Sequence, residues 1–327
     1  MHDMKSIEAH IKSFESYLEK ETIFPKNRLR NLYEPCTYFL SNAGKRIRPT
    51  LCLLGAELFG PISDDAFNIA VGIELFHNFT LLHDDIMDEA PLRRGETTVH
   101  LKYGTPIAIL AGDVMSIYSY KYFTKVSPSV MSKVLSTFNK MAIEVCEGQQ
   151  LDMDFEQRDD VSIEEYLEMI RLKTSVLIGA SLKLGGVVQN ATEDQLKNLN
   201  SLGIDLGMAF QLKDDYLDTF GLKEEIGKLP GGDIRSHKKT YLYIVAQTLI
   251  QKENPTLWEE AWAIEDEVEK VEKVTQFFKD YKVDEYILKM IEDYSKRAFE
   301  EIALLEKSGL NTKNLETLAN YLLNRQH

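Results

Sequence analysis

An all-α fold is what this sequence predicts, on three observations. Only nine prolines interrupt 327 residues, strong helix formers (Leu, Ile, Met, Glu, Lys) dominate the long segments, and apolar residues recur at helical spacing rather than in alternation. Strand signals are scarce, so helices joined by short loops are expected throughout.

Three elements can be drawn in order. The first begins at Ser63 and Asp64, runs through Phe67, Ala70, Ile73, Phe76 and Leu81, and stops before Pro91; it is apolar all round, which predicts a buried helix. The second opens on Ser162-Ile163-Glu164-Glu165, a capping box in which Ser162 and Glu165 satisfy each other's backbone donors, and is expected to run to Gly185-Gly186. The third covers about Leu196 to Thr219 and ends at Gly221. From about Thr256 the chain is charged and amphipathic, so its Glu and Lys runs read as the solvated face of an outer layer. No linker, low-complexity tract or charge block divides the chain, which predicts one helical domain over residues 1–327.

Composition narrows the function. A hydrophobic content of 44% suffices for a sizeable core. Cys36, Cys52 and Cys146 are odd in number, far apart and set in apolar segments, which argues against a disulfide framework or thiolate metal site and points to a reducing cytoplasm. No uncharged apolar run approaches the roughly 20 residues of a membrane span, and the N-terminus lacks a signal-peptide layout. The net charge of -14 argues against nucleic acid as a partner, although a basic pocket can sit inside an acidic protein.

Two aspartate triplets carry the chemistry. Asp84-Asp85-Ile86-Met87-Asp88 lies near the end of the first helix, and Asp214-Asp215-Tyr216-Leu217-Asp218 holds the same place on the third. The four-residue spacing stacks the outer aspartates on one face, where they repel unless a cation sits among them. Carboxylate oxygens suit magnesium, which binds through one or two of them plus substrate phosphates and water, so two triplets facing each other would hold a diphosphate between bridging metals.

Cations accompany both. Arg93-Arg94-Gly95 follows the first triplet and Gly44-Lys45-Arg46-Ile47-Arg48 lies upstream; arginine forks fit phosphate oxygens and lysine supplies a point charge. His77 falls two turns before Asp84 on nearly the same face. Lys173-Thr174 sits among apolar residues, where a lysine needs a partner. Gln211 shares a face with Asp214 and Asp215, and beyond the second triplet Gly227-Lys228, Gly231-Gly232-Asp233 and Lys238-Lys239 form a glycine-rich, cationic loop.

Taken in order, His83-Asp84-Asp85-Ile86-Met87-Asp88 with Arg93-Arg94-Gly95, Gly148-Gln149 with Asp152, Lys173-Thr174, Gln211 with Asp214-Asp215 and Asp218, and Gly231-Gly232-Asp233 resemble the motif set of the trans-isoprenyl diphosphate synthases, or polyprenyl synthetases. The motifs span about Gly44 to Lys239, and the helical pattern extends over almost the whole chain. The resemblance implies a single all-α domain with a ring of helices around a deep central cavity, a homodimer, and about three magnesium ions per site. By analogy Asp84, Asp85, Asp88, Asp214 and Asp218 would hold the metals on the allylic diphosphate, with Asp215 acting through water or from behind. Arg93, Lys173, Lys228 and Lys238 would neutralise that diphosphate as it leaves. Lys45, Arg48, His77 and Arg94, with Gly44 beside them, would grip isopentenyl diphosphate. Thr174 and Gln211 would face the developing carbocation, and Gln149 and Asp152 would line the same wall.

In this family the growing tail descends past the residues before the first triplet. Phe79 therefore predicts a floor against very long products, while Thr80 leaves room that a second aromatic would fill, so a C20 product is expected with C15 next. Phe76, Tyr118 and Tyr120 are further candidates for closing the tunnel. Two other readings fit less well. A class I terpene cyclase usually carries Asn/Asp, Ser/Thr and Glu in its second metal motif, which Asp214-Asp215-Tyr216-Leu217-Asp218 does not match. A catalytically silent partner subunit tends to lose aspartates or cations, whereas every motif position is filled here. The departures are His237, where many relatives have asparagine or glycine, and a tail, Asn324-Arg325-Gln326-His327, with few basic residues.

Overall fold

The computed structural model describes residues 4–26, 28–42, 44–221 and 230–323. These are almost wholly helical and fall into two compact units, one of Met1–Phe138, Ala180–Leu199 and Leu310–Leu315, the other of Asn139–Gly179, Asn200–Gly309 and Glu316–His327.

The first unit opens with α1 (Met4–Lys20), α2 (Arg30–Ser41), α3 (Ile47–Glu57) and α4 (Asp64–Met87). The start of α4 is where its sequence places it. Ser63 is the N-cap and accepts the Ala66 N–H, with Asp64 and Asp65 at the positive end of the helix dipole. Because α4 is apolar on every face, residues all round it are buried, Ile69, Ile73 and Leu75 among them. A two-stranded hairpin follows, β1 (Leu92–Arg93) and β2 (Glu96–Thr97), paired antiparallel. It was not predicted, and its signal is brief. Arg94 and Gly95 both take positive φ, 55° and 80°, the backbone of a tight hairpin turn that glycine adopts without strain. The turn directs Arg93 back toward the end of α4. Next come α5 (Val99–Tyr103), α6 (Thr105–Phe123) and α7 (Pro128–Glu156), whose residues from Asn139 onward belong to the second unit.

The second unit contains the Ser162–Glu165 capping box as predicted, opening α8 (Ile163–Ile170). The expectation of one helix from there to Gly185-Gly186 needs two corrections. Residues Arg171–Ser175 form a π-helical turn, after which α9 (Val176–Val188) resumes. The glycine pair is no C-cap either: a Cβ on Gly185 would come within 2.1 Å of the Cys52 carbonyl oxygen, so that position serves close packing inside the first unit while the helix continues past it. The long α10 (Glu193–Phe220) follows, then α11 (Gly232–Arg235), α12 (Tyr241–Glu253), α13 (Pro255–Trp262), α14 (Glu267–Asp280), α15 (Val283–Lys307) and α16 (Lys313–Leu323). Tyr166, Met169, Leu212, Leu242, Phe278 and Ile287 belong to one buried core of this unit. No helix among the described residues is long and apolar enough to cross a membrane.

Candidate active site

In the first unit the end of α4 presents the first triplet. Asp85 is 1% exposed, and its Oδ1 accepts from Arg93 through Nη2 at 2.6 Å and Nε at 2.7 Å. Arg93 Nη2 also lies 3.9 Å from Asp84 Oδ2. Burial raises the pKa of Asp85 more than Arg93 lowers it, and its Oδ2 is buried with no hydrogen-bond partner. An orphaned carboxylate oxygen beside half-buried Asp84 and exposed Asp88 is a donor set that fits a hard divalent cation. Among the described residues no three His, Cys, Asp or Glu groups converge tightly enough to chelate a metal by themselves. A cation here would draw further oxygens from a bound anion or water, which is how magnesium is commonly held.

Two turns earlier on α4, the cations gather around His77. Arg48 Nη1 donates to His77 Nε2 at 3.1 Å. A guanidinium can only donate, so Nε2 is an acceptor and the ring proton sits on Nδ1. Desolvation, with Arg48, Arg94, Arg93 and Arg46 nearby, pushes the His77 pKa well below its ordinary value, so the ring is neutral. Burial lowers Arg48 to about 10, leaving it charged at neutral pH. Arg94 Nη1 donates to the Asn42 carbonyl at 2.6 Å, and its guanidinium lies against Gly44, where a Cβ would meet Nη2 at 2.5 Å. Gly44 is thus a shelf for Arg94. Lys45 is exposed beside it.

Phe79 is half-buried between Phe76, at 5.5 Å between ring centroids, and His83, at 4.8 Å. Phe76 meets Phe138 edge-on at 5.1 Å, and Tyr120 does the same at 4.9 Å. Tyr118 packs elsewhere, against Phe24 and Tyr33. Thr80 donates to the His77 carbonyl within its own helix.

In the second unit the π-helical turn carries Lys173 and Thr174. It is held there by close packing: a Cβ on Gly148 of α7 would come within 2.2 Å of the Lys173 backbone nitrogen. Lys173 Nζ reaches Asp152 Oδ2 on α7 at 2.6 Å, and Lys238 Nζ reaches the same oxygen at 3.6 Å. Burial alone would raise the Asp152 pKa, but Lys238 and Lys173 outweigh it and hold the carboxyl below its ordinary range. Thr174 donates its hydroxyl to Gln211 Oε1 at 3.3 Å, and Gln211 Nε2 donates to Asp215 Oδ1 at 3.1 Å. Gln149 is half-buried on α7, one residue after Gly148.

The second triplet divides its labour. Asp215 is buried and accepts hydrogen bonds from Gln211 and from the phenol of Tyr166, a residue that sequence reasoning missed. The one available signal was a tyrosine on the apolar face of the capped α8, since a buried phenol requires a polar partner. Burial, then the charge of Asp233, raises the Asp215 pKa to about 7 against the pull of Tyr166 and Gln211. Asp218 accepts the Asp233 N–H at 2.9 Å through Oδ2, which anchors the segment that begins α11. Asp214, one residue before Asp215 on α10, is half-buried. Lys228 and the tail 324–327 lie outside the described residues.

The chain has close relatives. The family model described as polyprenyl synthetase matches residues 29–281. The chain is 38% identical over 310 residues to the geranylgeranyl pyrophosphate synthase of Geoglobus acetivorans, covering 94% of this chain and 95% of that one. It is 37% identical over 292 residues to a short chain isoprenyl diphosphate synthase of Methanothermobacter thermautotrophicus, covering 89% of each. A crystal structure of a geranylgeranyl pyrophosphate synthase matches with a TM-score of 0.90 at 41% identity over 98% of both chains. That of the geranylgeranyl pyrophosphate synthetase from Pyrococcus horikoshii Ot3 matches at 0.90 and 32% identity, over 99% of this chain and 98% of the other. The predicted all-α class agrees with these structures.

Proposed function

The chain belongs to the polyprenyl synthetase family, a family of prenyl-transferring enzymes, and from that premise we propose that it joins an allylic diphosphate to isopentenyl diphosphate, head to tail, giving geranylgeranyl diphosphate (C20) with farnesyl diphosphate (C15) next in order. The observation that carries the reading is that each aspartate-bearing helix keeps its carboxylates beside anion-binding side chains: Arg93 at Asp84 and Asp85, and the Lys173-Thr174 turn linked through Gln211 to Asp215. An assay of the purified chain tests it. Pyrophosphate release that requires both diphosphates and magnesium supports the synthase; release from the allylic diphosphate alone would instead indicate a cyclase.

Magnesium, about three ions held by Asp84, Asp85, Asp88, Asp214 and Asp218, would neutralise the diphosphate as its charge grows. The chain's own residues do the rest. Arg93, Lys173, Lys238 and Lys228 bind the allylic diphosphate, and fixed positive charge favours the transition state over the ground state because bond breaking moves negative charge onto that group. Lys45, Arg48, Arg94 and neutral His77 hold isopentenyl diphosphate. The Thr174 hydroxyl spends its proton on Gln211, so its lone pairs are available to the allylic carbocation. The double bond of isopentenyl diphosphate attacks that cation, a carbon–carbon bond forms, and the proton lost goes, by family analogy, to the departing diphosphate. Apolar walls keep water from quenching the cation.

Phe79, braced by Phe76, is the floor for the growing tail. Phe79→Ala is expected to shift the product distribution to longer chains by chromatography of dephosphorylated products; an unchanged profile would remove the floor. A homodimer is supported by α6, which exposes Ile109 (43%), Leu110 (57%) and Ile117 (65%) toward one side. Sedimentation should give twice the chain mass, and a monomer would leave that stripe without an explanation. The single-domain reading is favoured because four of the five unit boundaries fall inside helices, namely α7, α9, α10 and α16, with no linker sequence there. The free thiols of Cys36, Cys52 and Cys146 favour a reducing compartment such as the cytoplasm.

A further inference from the structure

Glu74 is a carboxylate in an unexpected place. It lies in mid-α4, 2% exposed, three residues before His77, where a charge is costly unless it is paired and hydrogen-bonded. Arg46 Nη1 donates to its Oε1, and Asn78, itself fully buried, donates Nδ2 to the same oxygen at 3.0 Å and to the Glu74 carbonyl at 2.7 Å. Arg46 is 5% exposed, and its Nη2 donates to the Leu40 carbonyl at 3.0 Å. One side chain therefore ties the last turn of α2 and the first residue before α3 to the middle of α4.

Arg46 is also the residue between Lys45 and Arg48 whose backbone turns the chain into α3, with φ at 51° in the left-handed region that a non-glycine residue adopts reluctantly. Its ion pair holds that turn. The reach of Glu74 extends further, because its charge acts on Arg48 and on Arg94 as well. Four guanidiniums, those of Arg46, Arg48, Arg93 and Arg94, act on His77. Arg93 has Asp85 as its partner. Glu74 pairs directly with Arg46, and its charge also bears on Arg48 and on Arg94, the last of which Asp85 acts on as well. Like charges so close would separate when no anionic ligand is bound.

We propose that Glu74 is the positioning residue of the isopentenyl diphosphate grip: through Arg46 it fixes the backbone that carries Lys45 and Arg48, and its charge keeps Arg48 and Arg94 assembled around His77 before the diphosphate arrives. The inference rests on the reading that these cations bind isopentenyl diphosphate. Stability alone does not explain the pair, since a buried ion pair gives little net stabilisation over an apolar pair of similar size. Preorganisation does explain it, because ordering the guanidiniums in advance removes a cost that the ligand would otherwise bear.

Steady-state kinetics on the purified full chain, with isopentenyl diphosphate and the allylic diphosphate varied separately, tests this. Glu74→Gln is expected to raise KM for isopentenyl diphosphate about tenfold or more, with kcat and the allylic KM within about threefold of the parent. Glu74→Asp keeps the charge and should recover part of that rise. A folded Glu74→Gln enzyme with an unchanged or lower KM for isopentenyl diphosphate overturns the proposal, as does an equal loss in all three parameters. Should Glu74→Gln not fold, the apolar pair Arg46→Met with Glu74→Met restores packing without charge and is expected to show the same selective rise; a normal KM in that enzyme refutes the role. Arg48→Ala separates the two levels. If it raises KM for isopentenyl diphosphate while Glu74→Gln does not, this inference alone fails; if Arg48→Ala leaves that KM untouched, the assignment of the grip fails and the role of Glu74 with it.

Discussion

Lys173→Ala is expected to lower kcat by roughly a hundred- to a thousandfold, with a much smaller change in the allylic KM, the pattern of a charge that matters most in the transition state. Lys173 sits on an irregular turn that aims it at Asp152, where Lys238 arrives as well. The two lysines form a cationic pair on one carboxylate. As the allylic carbon–oxygen bond breaks, the diphosphate gains charge that a fixed ammonium stabilises without reorganisation. The fold should tolerate the change: the lysine side chain is 22% exposed, and Asp152 keeps Lys238 at 3.6 Å. Near-normal turnover in a folded Lys173→Ala enzyme would exclude the lysine from the chemistry, and circular dichroism with thermal melting would establish that the comparison is fair.

Asp84→Ala and Asp214→Ala should each lower kcat by about a thousandfold or more, and the double variant should be scarcely slower than either single. Groups acting as one unit on one event lose most of their effect when the first is removed, so the second substitution has little left to take. The triplets belong to different units, one on α4 and one on α10, and kinetic non-additivity tests whether both act on the same leaving group. Losses that multiply would mean separate events and would break the proposed clamp. Chelation supplies the complementary result: magnesium removal should abolish turnover in the parent enzyme and restore it on readdition.

How much of this was legible beforehand depends on the range of the interaction concerned. Local signals did well. Ser63 and Ser162 mark helix starts because a cap is a contact between residues three apart, and both caps are in place. Gly185-Gly186 misled because glycine serves both helix ends and close packing, and the residue that decides between them, Cys52, lies far away in sequence. The hairpin at Leu92–Thr97 escaped because strands of two residues carry no periodicity. Within the site, residue types that bind metal or phosphate stood out by their clustering. The groups that hold them in place did not: Tyr166 is 49 residues from Asp215, and Arg46 is 28 from Glu74, so nothing in the local pattern announces either pair.

The π-helical turn at Arg171–Ser175 has a consequence for how this protein can change. Such a turn contains one residue more than a regular helix needs, and the surplus is what swings Lys173 and Thr174 out of the helical register. Deleting it would restore regular hydrogen bonding, yet would rotate one helical arm against the other by about 100°. With Lys173 in its proposed role, selection for robustness and selection for speed pull on these five residues in opposite directions, and a laboratory lineage bred only for heat tolerance could harden the scaffold by erasing the turn that presents Lys173 and Thr174.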